Sequence, residues 1–122
     1  MSGEFLGGFI VPGKPHILLA PEQNTGWSSM RRSFDVARDA IEALEPDLLL
    51  LYSTQWPSII GHQIQADPAP KWRLVDQDFH QLGTMHYDLR MDAEFAAVHE
   101  ACAKQRGLTA RRVNYRGFPI DA

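Results

Sequence analysis

The side chains of this sequence best equipped for chemistry are its five histidines, a single cysteine and a Gln-Trp pair. His16 stands directly after Pro15, at the end of an apolar stretch covering residues 5–11 and a proline-glycine turn. A neutral imidazole placed there can donate to iron or zinc. It can equally be a loop histidine bonded to backbone or water. Gln55 and Trp56 follow a second apolar stretch, residues 48–52. A glutamine amide is a poor transition-metal ligand, so this pair suits hydrogen bonding to a neutral ligand or to a neighbouring loop. His62 can reach the same edge, or it can sit half-buried on a short strand.

His80 and His86 flank Gly83, with Asp78 close by. Such a pair invites a metal or acid-base role. Their spacing, however, matches neither the repeat of a helix nor that of a strand, and reads as surface histidines in a loop. His99 falls in the middle of a helical pattern beside Glu100 and reads as solvent-facing. The carboxylates Asp76, Asp78, Asp88 and Asp92 are spread over turns and caps rather than paired. No glycine-rich phosphate loop, no Gly-x-Ser-x-Gly and no His-Glu-x-x-His is present, so nucleotide binding and serine hydrolysis have no support. Cys102 alone excludes an intramolecular disulfide and a cysteine-based zinc site. It reads as a small buried residue inside a helix.

Several elements must position these groups. Residues 5–11 read as a buried strand, and residues 12–26 as a long Pro/Gly/Asn-rich loop. From Trp27 onward Met30, Phe34, Ala37, Ile41 and Leu44 recur at three- and four-residue spacing, which predicts an amphipathic helix capped by Ser28 or Ser29. Pro46 ends it. Residues 48–52 form a continuous apolar run, as in a strand covered on both faces. Strand, helix and strand then make a right-handed βαβ unit. Residues 59–64 and 72–75 read as short strands separated by Asp67-Pro68-Ala69-Pro70. Asp92 caps a helix over residues 93–106, with Phe95, Val98 and Cys102 on one face and Gly107 as its stop. Residues 109–115 read as a strand. The fold class is α/β, a mostly parallel sheet flanked by helices, in one domain covering residues 1–122 that reads as part of a larger one. In open sheets of this kind the carboxyl ends of the strands collect ligands and catalytic groups.

Composition narrows the partners. The chain has 122 residues, 44% of them hydrophobic and 22% charged, with a formal net charge of −3. Nothing there suggests a nucleic-acid partner, which needs a basic patch; Arg31 and Arg32 lie far along the chain from Arg111, Arg112 and Arg116. No apolar run approaches the roughly 18 residues of a membrane span. The Met-Ser-Gly-Glu start lacks a basic leader, so a cytoplasmic location is expected.

Three segments together resemble a known superfamily. These are Pro12, Pro15 and His16 after the first strand, the run Leu51-Tyr52-Ser53-Thr54-Gln55-Trp56 after the second, and the closing Val113-Asn114-Tyr115-Arg116-Gly117-Phe118-Pro119-Ile120-Asp121. The chain resembles class III extradiol ring-cleavage dioxygenases, the protocatechuate 4,5-dioxygenase catalytic-subunit group. Within that group it is most similar to 2-aminophenol 1,6-dioxygenase subunits, especially the α type. Active members hold Fe(II) with two histidines and a glutamate and open an aromatic ring with O2, a further histidine serving as acid and base. The resemblance puts the first ligand on His16 and the second on Gln55, which is a departure. The acid-base histidine near residues 118–121 has no counterpart, and the glutamate belongs to the second half of the family fold. The resemblance therefore implies an N-terminal half acting as a non-catalytic subunit, with Gln55 and Trp56 in the substrate pocket. Fe(II) is implied by the family but not stably held by this chain alone. The implied partners are further copies of this chain or a catalytic dioxygenase subunit, together with a small aromatic substrate. The alternatives are a small metal enzyme joining His16 to His62 or another histidine, and a module that binds an aromatic ligand.

Overall fold

The computed structural model describes residues 2–53, 56 and 58–117. The N-terminal part is helical. Helix α1 covers His16–Leu19, with the backbone N–H groups of Leu18 and Leu19 donating to the Pro15 carbonyl. Pro15, Ile17 and Ala20 are buried there. A 3-10 turn, Pro21–Gln23, follows. The segment expected to be an irregular loop is thus largely helical, and His16 opens a helix. Proline pre-sets the backbone angle that a first helical turn needs, which explains why Pro15 and Pro21 each stand at the start of a turn.

Helix α2, Thr25–Ala43, is the amphipathic helix predicted from the spacing. Its cap is Asn24 rather than Ser28 or Ser29: the Asn24 side-chain oxygen accepts the Trp27 N–H at 2.9 Å. Asn24 has the extended backbone of an N-cap (φ −157°, ψ 163°), from which its carbonyl oxygen reaches the third helical N–H. Ser28 instead lies inside the helix and donates its hydroxyl proton to the Pro21 carbonyl at 2.6 Å.

Residues 5–11 do not form a strand. Phe9, Val11 and Pro12 line a cavity of about 120 Å³ together with Met30, Phe34 and Ala37 of α2, while Phe5 and Ile10 are exposed. The helix face takes up part of the apolar run that a sheet was expected to cover. Residues 48–52 also form no strand and are exposed. An all-apolar strand in a parallel sheet owes its conformation to neighbours on both sides, and neither run has a strand neighbour among the described residues. The expected βαβ unit over residues 5–52 is therefore not formed.

The parallel pairing occurs further along. Strand β1 (His62–Gln65) pairs in parallel with β4 (Ala110–Val113), His62 opposite Ala110 and Gln65 opposite Val113. Between them, β2 (Lys71–Leu74) and β3 (Met85–Asp88) form an antiparallel pair, Lys71 opposite Asp88. The two sheets are joined where the Lys71 N–H donates to the Arg116 carbonyl at 2.7 Å. The fold is α/β, with a parallel strand pair flanked by helix.

Helix α3 (Ala93–Gln105) packs on β4 and β1. Asp92 caps it as expected, accepting the Phe95 N–H at 2.8 Å. Gly107 has φ +78°, and its N–H and that of Leu108 bond the Lys104 and Ala103 carbonyls. This left-handed stop is the one that glycine tolerates best. The buried face differs from the one expected. Ala96 and Ala103 are buried, whereas Phe95, Val98 and Cys102 are exposed. Small side chains let the helix backbone approach the sheet closely, and the larger stripe is turned about one residue away from it. Glu100 ties α3 to β4: it accepts from Arg112 Nε at 2.7 Å, and within the helix from Lys104 at 2.9 Å. The Lys104 ammonium and the Arg112 guanidinium hold its carboxyl down at about 2. Among the described residues no helix is long and apolar enough to cross a membrane.

Entry into the parallel pair depends on Gly61. It has φ +69°, and a Cβ added there would collide with the Thr109 carbonyl, the group that accepts the His62 N–H at 2.8 Å. Gly61→Ala is expected to destabilise the fold by roughly 1–3 kcal/mol. A fall in the urea unfolding midpoint checks this; an unchanged midpoint would show that the pair tolerates a side chain at this approach.

Candidate functional site

Three places in the structure gather polar or aromatic groups. The first is the carboxyl end of the β1–β4 pair, the edge at which α/β sheets build sites. The Gln65 amide bridges the two chains there, donating to the Tyr115 carbonyl at 3.0 Å and accepting the Tyr115 N–H at 3.1 Å. The same oxygen accepts the Asp67 N–H at 3.1 Å. Asp67, only 6% exposed, accepts the Ala69 N–H at 2.9 Å and pairs with Arg116 Nε at 3.3 Å. Trp56 joins this corner: its ring centroid lies 5.8 Å from that of Tyr115. Its indole nitrogen is buried with no hydrogen-bond partner.

The second place surrounds His16. The imidazole stacks on Phe79 with ring centroids 4.1 Å apart and meets the edge of Trp27 at 4.7 Å. Its Nδ1 is buried and unpartnered. Phe79 follows a turn in which Asp76 accepts the N–H groups of Asp78 and Phe79 at 2.8 and 3.1 Å. Lys14 crosses to that turn, bonding Asp76 at 3.1 Å and Asp78 at 3.0 Å. Hydrogen bonds to Asp78 and Asp76 raise the Lys14 pKa. Burial alone would raise that of Asp76, but the Asp78 N–H and the Lys14 ammonium outweigh it and leave it below the usual carboxylate range.

The third is a groove of about 260 Å³ between residues 48–53, β1 and the start of α3, lined by Leu48, Leu50, Ile64, Met91, Phe95 and Ala96 among others. Its polar rim includes His62, His99 and Tyr52, with the Tyr52 hydroxyl 3.2 Å from His99 Nε2. His99 is thus half-buried and hydrogen-bonded rather than free in solvent; residues 48–52 pass close enough to α3 to cover it.

The expected site residues divide between these places. Trp56 and His62 line the groove, and His16 does not. His62 is exposed at the start of β1. His80 and His86 are exposed, His80 Nδ1 lying 3.0 Å from the Gln77 carbonyl. Gln55 lies outside the described residues. Gln65 and Asp67 were not singled out in the sequence, and Arg116 was noted only among the scattered basic residues and in the closing segment of the resemblance. The signal that pointed to them is positional: a polar residue closing each strand just before a proline or glycine turn.

No family model matches the chain. Curated proteins do, among them two dioxygenase subunits. A 2-aminophenol 1,6-dioxygenase β subunit from a Pseudomonas species is 32% identical over 98% of this chain. The α subunit, also from a Pseudomonas species, is 32% identical over 95% of it. Nearly the whole chain is thus similar to subunits of this dioxygenase. It spans 42% of the length of each of these relatives. The identity is the same for α and β, so it does not favour one type.

The described residues do not fit an iron triad. A non-haem Fe(II) centre needs two histidines and a carboxylate converging on one point. Among the described residues no three His, Cys, Asp or Glu side chains are so grouped. The unpartnered nitrogen of His16 belongs to a ring walled by Phe79 and Trp27. Those two rings fix the imidazole, and they generate a test. Phe79→Leu is expected to cost about 1 kcal/mol through the lost stacking. It should also move the His16 ring protons downfield in the NMR spectrum; unmoved ring protons would mean that the stack is absent in solution.

Proposed function

We propose that this chain is a non-catalytic component of an aromatic ring-cleaving dioxygenase of the class III extradiol kind, closest in role to an α-type aminophenol dioxygenase subunit. In this reading a partner subunit holds Fe(II) and opens the aminophenol or catechol ring with O2. This chain contributes surface and positioning, with Gln55 and Trp56 facing the substrate side. The observation that carries the reading is the likeness over nearly the whole chain to both subunits of one kind of dioxygenase. Gln55 adds to it, because the resemblance puts a metal ligand there and an amide is a poor one.

The test is turnover of 2-aminophenol under air with added Fe(II). The chain alone is expected to give none. Added to a catalytic subunit of the relatives' kind, it is expected to raise turnover at least about tenfold, equivalent to 1.4 kcal/mol of barrier. Turnover by the chain alone would overturn the reading. The groove beside α3 favours a second reading, a module that binds a small aromatic without chemistry. Saturable, metal-independent binding of 2-aminophenol with no effect on a catalytic subunit would select it.

A further inference from the structure

The N-terminal helices reach the sheet-bearing part of the chain through a small cluster with an ionic half and an aromatic half. In the ionic half Lys14 Nζ lies 3.1 Å from Asp76 and 3.0 Å from Asp78, which stand 62 and 64 positions further along the chain. In the aromatic half His16 stacks on Phe79, and Trp27 meets Phe79 edge-on with ring centroids 6.2 Å apart. The halves share one turn, since Phe79 directly follows Asp78. Every partner in the cluster belongs to this chain.

Neither side needs the other to keep its local shape. The turn is held by Asp76, which accepts the N–H groups of Asp78 and Phe79. Helix α1 is anchored on the Pro15 carbonyl, and Ser28 ties α2 back to Pro21. The closed arrangement also carries a cost. His16 Nδ1 is buried without a hydrogen-bond partner. Such a nitrogen opposes the state that buries it, because water satisfies it once the cluster parts. The ion pairs that help to offset this cost are loosely enclosed. The Lys14 and Asp78 side chains are 37% and 67% exposed, and pairs so placed are weakened by solvent and salt.

We propose that the Lys14–Asp76–Asp78 ion pairs and the His16–Phe79–Trp27 rings form a two-part latch, and that opening the ionic half releases Phe79 and uncovers the His16 imidazole. In the closed state α1 and the start of α2 are fastened to the 76–79 turn. In the open state both sides keep their own hydrogen bonds, and His16 Nδ1 gains water. Lys14 is thus a positioning residue, acting on His16 through the turn that carries Phe79. The inference rests on contacts within this chain and does not depend on the dioxygenase reading.

The experiment follows the His16 ring protons of the chain by NMR, at one alkaline pH where an ordinary imidazole is neutral. NaCl is raised from about 0.01 M to about 1 M, which shortens the screening length from roughly 30 Å to roughly 3 Å. The wild-type ring protons are expected upfield at low salt, under Phe79, and to move downfield as salt rises. Lys14→Met removes the ion pairs and leaves the Asp76 turn in place. Its His16 ring protons are expected downfield already at low salt and insensitive to added salt. Lys14→Arg keeps the charge and is expected to behave as the wild type does. Wild-type ring protons that stay in place across the salt range overturn the proposal, and that measurement needs no variant. Lys14→Met ring protons that match the wild type at low salt also overturn it, because the stack then stands without the ion pairs.

Discussion

The parallel register between residues 62–65 and 110–113 is the contact on which the rest of the C-terminal structure depends. Parallel strands cannot be joined by a tight turn; the connection must leave the sheet and return. Here the returning chain carries the antiparallel β2–β3 pair and helix α3, and each is fastened back to the pair. Lys71 N–H bonds Arg116, the Gln65 amide bridges to Tyr115, and Glu100 reaches Arg112. Gly61 and Gly107 set the approach at one end of each crossing strand, both with positive φ. Loss of the register would remove the surface on which α3 sits and the corner that Gln65, Asp67 and Arg116 build.

That corner is well satisfied, but the apolar interior behind it is small. Its buried side chains are mainly alanines, with Val113 the largest in β4. A buried methylene is worth roughly 0.8 kcal/mol, so an alanine face contributes little beyond close approach. The long apolar runs, residues 5–11 and 48–52, remain outside this interior.

What the sequence made legible was local. Helix α2 was legible in the spacing of Met30, Phe34, Ala37 and Ile41, and α3 between Asp92 and Gly107, because periodicity and caps are written in neighbouring residues. A strand was expected over residues 109–115, and residues 110–113 form it, with Ala110 and Val113 buried at its two ends. Residues 5–11 and 48–52 misled, since an apolar run without alternation is a strand only when its neighbours pair with it. The buried face of α3 was misread for a related reason: hydrophobicity marks Phe95 and Val98, while close packing on a sheet selects Ala96 and Ala103. Asn24 was overlooked as a cap because the apolar pattern of α2 begins after it. Of the candidate site, His16 was found but its clamp of Phe79 and Trp27 was not, as those rings come from distant parts of the chain.

Iron content after anaerobic Fe(II) reconstitution, compared between the intact chain and His16→Ala, tests the non-catalytic assignment most directly. The assignment predicts no more iron in the intact chain than in the variant. Near-stoichiometric iron that is lost on His16→Ala would contradict it and show that this chain builds a metal centre of its own.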